Sequence, residues 1–171
     1  LEKKEVTKEK LFDTRFQIVF DKLGIKADGI AFETAFRENF HESSILVDGA
    51  RDLLEYLRSK YKVYVASNAS MHQQTNRMKR AELDGYIDGY FVSEEIGFPK
   101  PQKEFFDACF KALPDVKPQD VVMIGDSLSA DIKGACEYGL KTIWYNHRNE
   151  PTAGVKCDYI VSRLSEVKNI L

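Results

Sequence analysis

From Tyr61 onward the sequence alternates short apolar runs with amphipathic ones, and this alternation restricts the fold more than any other feature. KVYVAS (62–67), GYFVS (89–93), DVVMIGD (120–126), KTIWYN (141–146) and DYIVS (158–162) are strand-sized and rich in Val, Ile and Tyr. The segments between them carry helical patterns. Ala50, Leu53, Leu54 and Leu57 fall at i, i+3, i+4 and i+7, with Asp48 available as the cap. Ser70 and Gln73 fit a capping box, and Pro101 suits the first turn of a helix carrying Phe105, Phe106, Cys109 and Phe110. Ile132, Ala135 and Cys136 make a buried stripe that Gly139 ends. Strand then helix, repeated, predicts a doubly wound, Rossmann-like α/β fold: a parallel sheet covered on both faces, whose ligands bind beyond the carboxyl ends of the strands.

Residues 1–47 differ, holding only helical patterns such as Leu11, Phe12, Phe16, Val19, Phe20, Leu23 and then Phe32, Ala35, Phe36. They are expected to form a helical cap packed over one end of the sheet, with 48–171 as the core. The opening LEKKEVTKEK reads as a solvated helix face. A formal net charge of -2 with basic residues spread along the chain argues against a nucleic-acid polymer as partner. No apolar run can span a bilayer and no signal peptide is present, so a soluble cytoplasmic protein without a membrane partner is expected. Cys109, Cys136 and Cys157 lack metal spacing and read as reduced structural thiols. Nothing in the sequence fixes an oligomeric state.

The residues with chemistry lie at the strand ends. Asp126 ends an apolar strand, and Asp131 falls in the first turn of the next helix, so two carboxylates can converge on a hard divalent ion such as Mg²⁺. Alternatively Ser127 or Ser129 caps that helix and Asp131 favours its positive end. Ser67 and Asn68 follow another strand and precede a helix, an arrangement that suits either a phosphate cradle or a plain turn. Lys100 stands between two prolines in GFPKPQ, which restrict the backbone on both sides and fix where the ammonium emerges; a solvated loop lysine is the alternative.

Taken in order, Ser67-Asn68, Lys100 and Gly125-Asp126 with Asp131 resemble motifs two, three and four of the haloacid dehalogenase-like hydrolases, over about residues 45–171. The helical opening and SEEIGFPKPQKEFFDACF are similar to the pyrimidine 5'-nucleotidase branch. The resemblance implies a Mg²⁺-dependent phosphomonoester hydrolase working through an aspartyl-phosphate, on a small phosphorylated metabolite, with nucleoside monophosphates leading. It implies that Ser67 and Asn68 bind phosphoryl oxygens and that Lys100 neutralises charge. Asp126 would ligate Mg²⁺, with Asp131 supporting the ion or orienting Lys100. Phosphoryl transfer depends mainly on such positioning and charge neutralisation.

One departure stands out. The family's first motif, D-x-D after an apolar strand, supplies the nucleophile, and no D-x-D occurs in this sequence. That strand sits centrally in the family, between the strands written here as KVYVAS and DVVMIGD, so each of these would show an unpaired edge. The expectation is a C-terminal part of a longer hydrolase, inactive by itself. A metal-independent 2-haloacid dehalogenase and a phosphate-binding module without catalysis are the competing readings. The three histidines, His41, His72 and His147, make no metal spacing, and surface or packing roles are expected for them. His147 and Arg148, in the loop NHRNEP, sit where they can edge a substrate pocket. Phe36, Arg37, Phe40 and His41 could meet a substrate, although Phe36 and Phe40, four apart, read better as core of the cap.

Overall fold

Residues 7–42 and 44–171 are described by a computed structural model, in which the chain divides into two compact units, Leu1–Ser43 and Ser44–Leu171. The first unit is a helical pair. Helix α1 (Lys8–Leu23) starts where the Thr7 hydroxyl accepts from the Lys10 N–H, and it stops at Gly24, whose φ of 68° is left-handed. Helix α2 (Gly29–Glu42) is capped by Asp28, whose Oδ1 accepts from the N–H groups of Ile30 and Ala31. The apolar stripes meet as rings: Phe16 lies 4.7 Å from Phe32 and 5.3 Å from Phe36 between centroids. Among these rings the Arg15 guanidinium donates twice to the Glu33 carboxylate, at 2.6 and 2.9 Å. Phe36 therefore packs within this unit. The side chains of Phe40 and His41, and residues 1–6 of the charged opening, lie outside what is described.

The second unit is α/β. In chain order it holds α3 (Ala50–Arg58), β1 (Tyr64–Ser67), α4 (Met71–Arg80), β2 (Gly89–Val92), the single turn α5 (Ser93–Ile96), α6 (Lys103–Ala112), β3 (Val122–Gly125), a π-helical turn (Leu128–Lys133), α7 (Gly134–Tyr138), β4 (Lys141–Tyr145) and β5 (Tyr159–Val161). Each apolar run from the sequence contains a strand, and all observed pairings are parallel. Strands β1 and β2 form one sheet; β3, β4 and β5 form another in that order.

Alternation along the strands separates two cores. Val122 and Ile124 point to the face where Leu53 and Leu57 of α3 pack on Ile143, Val161 and Val167. Met123 points the other way, joining Ala66 and Phe91 against Phe105 and Phe106 of α6 and Ala135 of α7. Both sheets contribute to the second cluster, so β1–β2 and β3–β5 share a core although no ladder joins them. Full burial of side chains such as Phe105 and Ile143 contributes roughly 1.5–3 kcal/mol each. Among the described residues, β1 has no partner on the side away from β2, and β3 has none on the side away from β4.

Two local expectations are corrected. Asp48 does not cap α3; the residue before the helix is Gly49, at a φ of 76°, with no side-chain cap bond. Pro101 lies in a turn before α6 rather than inside it, joined to Lys100 by a cis peptide, and Gln102 holds the N-cap position. Burial pushes the Cys109 thiol up to about 12, which suits an inert packing residue. No helix among the described residues is long and apolar enough to cross a membrane.

Candidate active site

Lys100 is the hub. Its backbone is gripped by Asn68 at the end of β1: the Asn68 side-chain amide donates to the Lys100 carbonyl at 2.9 Å, and its oxygen accepts from the Lys100 N–H at 2.8 Å. This two-point clamp sets where the side chain departs. The ammonium then runs into the interior, with the residue only 7% exposed, and donates to the Ala66 carbonyl of β1 and to Asp131 Oδ1, each at 2.6 Å. An ammonium has three protons, and among the described residues two have acceptors; the third is left for an anion. A solvated loop lysine is thereby replaced by a buried cation that joins the β1 end to the β3 end.

Asp131 reaches this point because the chain after β3 is wound more widely than an α-helix. The Ser127 carbonyl accepts from both Asp131 N and Ile132 N, at 2.9 and 3.2 Å, and the five-residue step is the π turn. Such turns recur at functional sites. The Asp131 carboxylate folds back so that Oδ2 accepts from the Ser127 N–H at 3.1 Å while Oδ1 meets Lys100. Gly125 makes room: a Cβ there would lie 2.5 Å from Asp131 Cβ and 2.5 Å from Oδ2. Ser127 also caps the turn, its hydroxyl accepting from Ala130 N, so the capping role and the convergence of Asp131 coexist.

Asp126 differs. Its backbone is pinned by Trp144, whose indole N–H donates to the Asp126 carbonyl at 3.0 Å. Its side chain is exposed and makes no hydrogen bond among the described residues. Ser67, at the end of β1, accepts from the Ala69 N–H at 3.1 Å and from Gln74 Nε2 at 2.6 Å. With both lone pairs engaged, its hydroxyl proton remains to donate to an anionic oxygen. Gln74 and Trp144, which bond to two of the candidate site residues, are positions that sequence reasoning missed. Gln74 had one signal, its place in the first turns of the helix that Ser70 caps; the Trp144 contact had none.

Beside Asp126 and Ser127 opens a cavity of about 500 Å³, bordered also by Lys133, Tyr145, His147 and Arg148. A second, of about 300 Å³, lies within the helical unit against Phe12, Glu33 and Arg37. Among the described residues no cluster of three or more His, Cys, Asp or Glu side chains is placed to hold a metal.

A family model for haloacid dehalogenase-like hydrolases matches residues 3–139. The HAD-hydrolase YfnB of Bacillus subtilis is 34% identical over 171 residues, covering 99% of this chain and 73% of its own length. The pyrimidine 5'-nucleotidase PynA of Streptococcus pneumoniae is 33% identical over 147 residues, 85% of this chain and 62% of its own. The pyrimidine 5'-nucleotidase YjjG of Escherichia coli is 30% identical over 97% of this chain and 73% of its own. A crystal structure of YfnB bound to magnesium superposes with a TM-score of 0.92, covering 99% of this chain and 75% of that one. A dehalogenase structure at 22% identity and a TM-score of 0.80 shares the fold.

Proposed function

This chain belongs to the haloacid dehalogenase-like hydrolases, and from that premise we propose that it carries the phosphoryl-binding half of a Mg²⁺-dependent phosphomonoester hydrolase, with nucleoside 5'-monophosphates as the leading substrates. The observation that carries this reading is the buried Lys100 ammonium, held by Ala66 and Asp131 with one proton to spare. The relatives named as pyrimidine 5'-nucleotidases support the substrate class.

In this mechanism Ser67 donates its hydroxyl proton to a phosphoryl oxygen, while Asn68 acts through the Lys100 backbone that it clamps. Lys100 offsets the negative charge shared by the phosphoryl group and an incoming carboxylate; fixed donors of this kind lower the barrier because they need no reorganisation. Asp131 keeps the ammonium in place. Asp126, a hard oxygen donor whose side chain makes no hydrogen bond among the described residues, fits a Mg²⁺ ligand, and Asp131, five positions on, would support the ion. Mg²⁺, when bound, would neutralise phosphoryl charge. The remaining donors would be water, the substrate and the nucleophile.

We assign the nucleophile to an aspartate outside the described residues, at the end of a strand lying between β1 and β3. The unpaired edges of these two strands support that placement. The carboxylate oxygen attacks phosphorus as the bond to the leaving oxygen breaks, and water then cleaves the aspartyl-phosphate.

The test is phosphate release from uridine 5'-monophosphate by the 171-residue chain alone and by the chain extended with an apolar strand ending in Asp-x-Asp. We expect no turnover alone, Mg²⁺-dependent turnover when extended, and loss of that turnover with Lys100→Met. Release by the chain alone would overturn the placement of the nucleophile. Halide release from a 2-haloacid without magnesium would overturn the phosphatase reading.

A further inference from the structure

The cavity beside Asp126 holds groups for which the phosphoryl chemistry has no use. Tyr145 and His147 stack with ring centroids 5.0 Å apart and planes 22° from parallel, and the imidazole is exposed. Both rings border the cavity of about 500 Å³ that Asp126 also lines, a volume within the roughly 300–1,000 Å³ of small-molecule sites. The platform is rigid. Asn146 closes the loop on itself, donating to the Glu150 carbonyl at 2.9 Å and accepting from the Glu150 N–H at 2.8 Å, while its own N–H donates to Val161 of β5. Asn149, at a φ of 54°, takes the left-handed turn this closure requires. Lys133 borders the same space with no partner among the described residues, and Arg148 is tethered loosely to Glu150 at 3.9 Å.

We propose that the loop 146–155 is the leaving-group subsite: a nucleobase stacks on the face of His147 turned away from Tyr145, with Lys133 and Arg148 as donors to its carbonyl oxygens. The proposal rests on the phosphomonoester reading for the orientation of the substrate, phosphoryl group toward Asp126. Stacking suits the observations because a planar ring continues the Tyr145–His147 pair and loses little entropy on a platform already fixed.

The sole tryptophan, Trp144, bonded to the Asp126 carbonyl, reports binding. Its fluorescence and calorimetry would follow titrations with uridine 5'-monophosphate, ribose 5-phosphate and uridine. The nucleotide should bind more tightly than ribose 5-phosphate. His147→Ala should weaken the nucleotide about tenfold, the scale of one stacked base, leave ribose 5-phosphate unchanged, and be rescued by His147→Phe. Equal weakening of nucleotide and ribose 5-phosphate, or no weakening of either, would overturn the subsite. Loss of uridine binding in His147→Ala, with no binding of ribose 5-phosphate even by the unaltered chain, would overturn the phosphoryl reading and leave the base subsite standing.

Discussion

Asp131→Ala is the substitution whose cost the geometry fixes most directly. It strands the Lys100 ammonium in a place where the two side chains are only 6% and 12% exposed. Unit charges 2.6 Å apart attract by roughly 6 kcal/mol at an effective dielectric of about 20. Desolvation takes part of this back, and removing one partner from a buried pair costs about 3–5 kcal/mol. With a urea dependence of about 2 kcal/mol per molar, the unfolding midpoint should fall by about 2 M. Lys100→Met should cost less, because Asp131 keeps its bond from the Ser127 N–H. The double variant should be less damaged than the sum of the two by about 2 kcal/mol, since the second change removes a charge the first has already orphaned. Urea unfolding of the four proteins measures this coupling. Additivity within about 0.5 kcal/mol would refute a buried pair as the link between the two strand ends.

Gly125→Ala should lower the melting temperature by roughly 6–12 °C, because the added methyl forces Asp131 to retreat about 1 Å for ordinary contact and both of its bonds break; in an Asp131→Gly background the same change should shift the midpoint by less than about 3 °C. Asp88 is held below the usual aspartate range first by the Val63 N–H and then by Lys62 and Arg58. Its contribution to stability is therefore complete above the unfolded-state value and is lost as the pH falls through the lower folded-state value, so Asp88→Asn should flatten the acid limb of a stability–pH curve; an unchanged limb would show that the carboxylate carries no linkage.

The strands were legible because a buried parallel strand must be a continuous apolar run, and such runs in this sequence are short and bounded by turn residues. Lys100 stood out because prolines on both sides restrict its backbone. The π turn was not legible: it is a one-residue shift of hydrogen-bond register at Ser127 that no residue's propensity marks, and it brings the Asp131 carboxylate back to the Ser127 N–H. The start of α3 was misread for a similar reason, since Asp48 is a good cap by type but the chain enters that helix through a left-handed Gly49. Gln74 escaped because its reach to Ser67 depends on the phase of α4 relative to β1, which no local pattern encodes.

The same geometry explains how β1–β2 and β3–β5 hold together without a shared ladder. A strand edge carries polar groups that must find partners, and in a complete sheet the neighbouring strand supplies them. Here Ala66 and Phe91 of one sheet meet Met123 of the other through α6 and α7, and this apolar contact is indifferent to register. Among the described residues Lys100 supplies a register-specific link between the strand ends: it takes the Ala66 carbonyl of β1 and the carboxylate that follows β3. The ammonium that would meet a phosphoryl group is thus also the polar tie across the slot between β1 and β3. A strand entering that slot would add ladder bonds on both sides and relieve Lys100 of much of this load. The Lys100–Asp131 coupling should then fall in the chain extended by the Asp-x-Asp strand, and the same four urea curves, repeated on that chain, measure the change; a coupling that stays the same would place the added strand elsewhere.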